Sequence, residues 1–174
     1  MPTGDTRPFI FVDIDGVLIP FRSRPIGTAR TPGDDHSGNP LLDRLDPDDG
    51  RRLLALPGDL VWASTWMADA NEVVAPRLGL PALPLVDWPD DEPRGGLHWK
   101  TATLARRAAG RPFGWLDDEI TETDRRWVAA HHPRPALLRR VGPLLGLTGA
   151  DLTAVRRWLS EGYGAGGSDA SATR

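Results

Sequence analysis

The chain has no cysteine, which excludes disulfides, thiolate metal sites and a cysteine nucleophile. It has no apolar run of membrane-spanning length. The one apolar segment near the N-terminus is interrupted by Asp13 and Asp15, so neither a transmembrane helix nor a secretory leader is expected. It also lacks a large charge of one sign: the net charge is −3, which gives no support to a general nucleic-acid or membrane-surface binder. Lysine is nearly absent. Of 21 cationic residues only Lys100 is not an arginine, and that residue stands out as a place where a compact, rotatable ammonium is wanted instead of a planar fork. No internal repeat is present. The 174 residues, 40% hydrophobic and 26% charged, suit one ordinary soluble domain with its own core. A cytoplasmic setting is the default expectation, and oligomeric state is left open.

What is present is organised around Phe9-Ile10-Phe11-Val12-Asp13-Ile14-Asp15-Gly16-Val17-Leu18. The apolar, β-branched and aromatic run after Pro8 reads as a buried parallel strand. Asp is costly in a central strand, so Asp13 and Asp15 belong at its carboxyl end, where open α/β sheets bind ligands. Gly16 then permits a sharp departure of the backbone. A strand ending in a simple Asx-type turn is the alternative for this stretch alone.

In chain order, strand one covers about residues 8–13, and residues 20–46 read as a long flap or lid loop. Asp46-Pro47-Asp48-Asp49 starts a helix that reaches about Leu56 and is stopped by Pro57-Gly58. Strand two is 59–64. A helix over about 67–78 follows, kinked or ended early by Pro76. Residues 83–86 are a short third strand, and 87–96 an acidic loop. A helix over 98–109 carries Lys100 in its first turn, and strand four, 113–116, runs into Asp117-Asp118-Glu119. Thr121 with Asp124 caps a helix to about Ala130, 136–141 is a fifth strand, and Thr148 with Asp151 caps a last helix. The pattern predicts an α/β fold: a Rossmann-like three-layer sandwich with a central parallel sheet of about five strands and no large cap domain. Residues 1–162 form the single domain, and the Gly/Ser/Ala-rich 163–174 a disordered tail.

Three strands end in polar residues: Asp13 and Asp15, Ser64 and Thr65, Asp117 and Asp118. Parallel strands place their carboxyl ends on one side, so these groups converge if the strands are neighbours. Converging carboxylates repel and raise one another's pKa unless a cation intervenes. An all-oxygen donor set selects a hard ion, Mg2+ being the usual choice beside phosphate. A lysine and a hydroxyl nearby suit phosphoryl oxygens.

Those residues resemble the four motifs of the haloacid dehalogenase-like (HAD) superfamily phosphohydrolases, in particular its small, capless bacterial members. Asp13-Ile14-Asp15-Gly16-Val17-Leu18 matches the first motif, the strand ending in Ser64 the second, Lys100 the isolated lysine of the third, and Asp117-Asp118 the double-Asp form of the fourth. The resemblance spans about residues 9–130. It implies that Asp13 attacks phosphorus to form an aspartyl-phosphate and that Asp15 is the general acid and base. Ser64 binds the phosphoryl group, with Thr65 competing for that role, and Lys100 neutralises Asp13 and the phosphate. Mg2+ is held by the Asp13 carboxylate, the Asp15 main-chain carbonyl and one of Asp117 and Asp118, with Asp118 preferred. The runs Trp62-Ala63-Ser64-Thr65-Trp66 and Trp115-Leu116-Asp117-Asp118-Glu119 resemble small members akin to phosphatase domains of nucleic-acid end-repair enzymes.

The expected function is a Mg2+-dependent phosphatase. Two alternatives remain: a phosphatase acting on nucleic-acid ends or another macromolecular phosphoester, and a non-catalytic phospho-ligand binding domain. Phosphatase and phosphotransferase are not separated by these residues. Residues 87–94 hold four acids against Arg94, a net of −3, and residues 21–40 hold three arginines against two acids, a net of +1. This disfavours a long polyanion across the mouth and favours a small or medium phosphomonoester packed against Trp66, Trp88 or Trp99. The four histidines show no ligand spacing and are assigned no chemistry.

Overall fold

A computed structural model of the chain describes residues 7–22, 39–90 and 95–162. Four parallel strands, β1 (Phe9–Val12), β2 (Asp59–Trp62), β3 (Phe113–Asp117) and β4 (Ala136–Arg140), form a sheet of order β2-β1-β3-β4. Strand side chains alternate between faces, and this divides the core in two. Phe9, Phe11, Val61, Phe113 and Trp115 face Leu104 and Ala108 of α3 (Thr101–Ala108) and Val128 of α4 (Glu122–His131). Ile10, Val12, Leu60, Trp62 and Leu116 face Leu53 of α1 (Pro47–Leu54) and Leu152, Val155 and Trp158 of α5 (Gly149–Ser160), with Leu78 beside them. The result is the three-layer arrangement expected of alternating strands and helices.

Helix starts follow the local chemistry. Asp46 caps α1 by accepting from the Asp48 N–H at 3.0 Å, and Pro47 opens the helix. Thr121 with Asp124, and Thr148 with Asp151, form reciprocal capping boxes on α4 and α5. The helix expected from residue 98 begins at Thr101, leaving Lys100 at its N-cap.

The sheet has four strands, one fewer than expected. Residues 83–86 contribute only a parallel bridge between Leu85 and Trp62, with hydrogen bonds from Trp62 N to the Pro84 carbonyl and from Val86 N to the Trp62 carbonyl. Pro81 and Pro84 cannot donate to a ladder. Asn71 supplies the missing pairing: its side-chain oxygen accepts from Leu83 N and Trp62 Nε1, and its amide donates to the Leu83 carbonyl. The helix expected over 67–78 forms over 68–77, but its middle, Ala70–Val74, is π-helical and its last turn is the short α2 (Ala75–Arg77). Pro76 lacks the N–H that a continuous α-helix requires. Within the segment read as a flap, Pro40–Arg44 forms a 3-10 helix. Most of that flap, part of the acidic loop and the tail from 163 lie outside the described residues. Among the described residues no helix is long and apolar enough to cross a membrane.

Candidate active site

β1 ends at Val12, and the chain turns away at once. The Ile14 carbonyl accepts the N–H groups of Val17, Leu18 and Ile19 at 2.9–3.2 Å. Gly16 takes φ +73°, and a Cβ there would lie 2.4 Å from Asp118 Oδ2. Glycine at this position therefore serves both the turn and the approach of Asp118.

The β1–β3 register pairs Val12 with Leu116, so Asp13 and Asp117 leave the sheet side by side. The Lys100 ammonium stands between them, with Nζ 2.9 Å from Asp13 Oδ2 and 2.8 Å from Asp117 Oδ2. The other oxygens are also held: Asp13 Oδ1 accepts from Ile14 N at 2.8 Å and Asp117 Oδ1 from Glu119 N at 2.9 Å. All three residues are buried, Asp117 completely. Burial pushes the Asp13 carboxyl up to about 7, with the charge of Asp117 adding to it and Lys100 opposing it. Burial acts to lower the Lys100 pKa, but the two carboxylates together outweigh it and raise it, so the ammonium stays charged. Asp118, partly exposed, is pushed up to about 6 by burial and then by Asp117 and Glu119.

Carboxylate oxygens of Asp13, Asp117 and Asp118 lie within 4.8 Å of one another. This donor set fits a hard divalent cation. It is all oxygen, and two of its carboxyls are raised by burial and by the neighbouring charge of Asp117, a repulsion that a bound cation relieves. Asp117 is fully buried with both oxygens engaged, whereas Asp118 is partly exposed. The Asp15 side chain is not part of this trio; it is exposed and accepts a hydrogen bond from Trp66 Nε1 at 3.1 Å.

Ser64 follows β2 at the same edge of the sheet as Asp13, since Ala63 N bonds to the Val12 carbonyl. It is buried, and its Oγ accepts from Trp66 N at 3.3 Å. Thr65 is exposed. Trp88 donates from Nε1 to the Ser64 carbonyl and meets Trp99 edge-to-face at 4.8 Å. The Lys100 ammonium lies 5.4 Å from the Trp99 ring centre.

A family model described as the HAD domain in Swiss Army Knife RNA repair proteins matches residues 9–152. The chain belongs to this family. The matched region takes in β1 to the first residues of α5 and every side chain of the site just described. No curated protein matched the chain, and no solved structure did.

Two further residues support this cluster. His98 has no ligand spacing in the sequence, yet its Nε2 lies 3.1 Å from Glu119 Oε2 and its Nδ1 accepts from Lys100 N at 3.2 Å. Asp124 was read only as a helix cap. It is fully buried, and its Oδ1 also accepts from His98 N and from the Thr101 hydroxyl, while Oδ2 accepts from Thr121 N and Oγ1. One carboxylate thus ties the segment carrying Lys100 to the start of α4. The spacing Thr121-x-x-Asp124 signals the cap; nothing in the sequence signals the second half of the job.

Burial alone would raise the Asp124 pKa, but its four donors together hold it below the ordinary carboxylate value of 3.8. A lowered folded-state pKa contributes stability that is complete above the unfolded value and lost as pH falls through the folded one. Asp124→Asn is therefore expected to unfold at lower urea concentration than the wild type near neutral pH, with the gap narrowing below about pH 4. Urea midpoints measured across this range check it; a gap that stays constant contradicts the assignment.

Proposed function

We propose that this HAD domain is a Mg2+-dependent phosphatase that removes a terminal phosphomonoester from RNA through an aspartyl-phosphate on Asp13. The observation that carries the chemistry is the buried Asp13–Lys100–Asp117 bridge with Asp118 beside it. Asp13, Asp118 and the Asp15 main-chain carbonyl would hold Mg2+, which supplies positive charge to the phosphoryl oxygens when bound. A carboxylate oxygen of Asp13 attacks phosphorus, and the bond to the leaving oxygen breaks with its electron pair. Asp15 gives its proton to that oxygen. In the second step Asp15 takes a proton from water, whose oxygen attacks phosphorus, and the bond from phosphorus to Asp13 breaks to release phosphate. Lys100 neutralises the nucleophile and the charge that moves onto the phosphoryl group, the Ser64 hydroxyl donates to a phosphoryl oxygen, and Asp117 keeps the ammonium in place.

Lys100→Ala is expected to lower kcat by about a hundredfold or more, the scale of one lost transition-state contact. Lys100→Arg is expected to be impaired as well, because a planar guanidinium does not fit between two carboxylates spaced for an ammonium. Steady-state kinetics with an aryl phosphate checks both; wild-type rates in the Arg variant contradict the role.

The RNA part of the reading rests on the family's description. It is supported by Trp88 and Trp99 beside Lys100, since single-stranded ends are commonly held by bases stacked on aromatic rings. A small phosphomonoester is the second reading, favoured by the net −3 of residues 87–94. Charge alone places that reading first, and membership of the family reverses the order. One stacked base contributes about 1–3 kcal/mol. We therefore expect kcat/KM for a 3′- or 5′-phosphorylated oligoribonucleotide to exceed that for the matching nucleoside monophosphate by about tenfold or more. Equal values contradict the RNA reading and favour the small ester.

A further inference from the structure

We propose that Trp66 is a positioning residue for Asp15, a role that rests on the reading of Asp15 as the general acid and base. The indole Nε1 donates to Asp15 Oδ2 at 3.1 Å across 51 positions of sequence, from the turn after β2 to the turn after β1. Asp15 is the exposed member of the candidate machinery. An Asp side chain in water moves among several rotamers, whereas a proton donor must stay within hydrogen-bond reach of the leaving oxygen. An indole N–H is a donor only and cannot exchange the proton itself. It can hold Oδ2 and leave Oδ1 to carry the proton.

The turn that presents Trp66 is built for this. The Trp66 N–H is tied to Ser64 Oγ at 3.3 Å, and its carbonyl accepts from Asp69 N at 3.1 Å. Its ring packs against the core cluster beneath β1 and β2. Met67, the next residue, has φ +49°, a left-handed conformation that costs energy in any residue but glycine and persists where its surroundings over-determine it. Trp62, by comparison, spends its indole N–H on Asn71 and Trp88 on the Ser64 carbonyl. Trp66 alone of these three directs its donor to a side chain that the mechanism uses.

The role has a signature that a merely structural one lacks. When the bond from phosphorus to the leaving oxygen breaks, a nitrophenolate departs as a stable anion, while an alkoxide needs the proton from Asp15. The full chain with Mg2+ is therefore assayed with p-nitrophenyl phosphate and with an alkyl phosphate, glycerol phosphate, comparing kcat/KM in the wild type, Trp66→Phe and Asp15→Asn. Trp66→Phe is expected to lose about tenfold or more on the alkyl ester and to stay within about twofold on the aryl ester, as a general acid contributes about 10²–10⁴-fold where it is needed. Equal losses on both esters, or none, overturn the proposal. Asp15→Asn separates the two readings. If it discriminates between the esters and Trp66→Phe does not, only the positioning role fails; if it does not discriminate, the acid–base reading falls and takes the proposal with it. Should Trp66→Phe not fold, benzothienylalanine at position 66 replaces the N–H by sulfur at nearly constant shape, and the same ratio decides.

Discussion

One ammonium held between two buried carboxylates joins three elements of the fold at a single point. Removing three ions from water is costly, and their attraction offsets the cost only when the geometry is good and the remaining lone pairs are satisfied. Here they are satisfied: Ile14 N and Glu119 N take the oxygens that Lys100 leaves. Each partner arrives on a different element, Asp13 at the end of β1, Asp117 at the end of β3 and Lys100 at the start of α3. The register of β1 on β3 sets the distance between the carboxylates. A slip of one residue would turn one of them to the opposite face of the sheet. The apolar pairing of Phe9, Phe11, Phe113 and Trp115 that fixes this register thus serves both core and chemistry.

The same arrangement explains why these polar groups gather at one edge of the sheet. Parallel strands bring all carboxyl ends to one side, and β1 lies between β2 and β3, so a group leaving β1 has neighbours on both flanks. Gly16 bends the chain away and leaves room for Asp118. Two raised carboxyls beside a charged lysine are an arrangement that invites a divalent cation and a phosphoryl group together.

Much of this was legible because it is local. The run from Phe9 to Gly16, the caps at Asp46, Thr121 and Thr148, and the lone lysine each carry their signal within a few residues. Even so, 83–86 was read as a strand from its apolar residues, although Pro81 and Pro84 deny it a ladder and Asn71 holds it instead. The supports of the site were hidden for a different reason. The bond from Trp66 to Asp15 and those from His98 and Thr101 to Asp124 join positions far apart in sequence, and a side-chain contact of that kind leaves no periodicity to read. The sequence marks Trp66 as an aromatic near a strand end; the role of its donor atom depends on β1 and β2 being neighbours.

A nucleophilic Asp13 passes through an acyl phosphate that can be trapped chemically. Borohydride added during turnover with Mg2+ and substrate reduces an aspartyl-phosphate to homoserine, and peptide mass spectrometry locates the change. With Asp13 as nucleophile, homoserine is expected at position 13 when substrate is present, none without it, and none in Asp13→Asn. Turnover that leaves position 13 unmodified while another carboxylate is converted would contradict it.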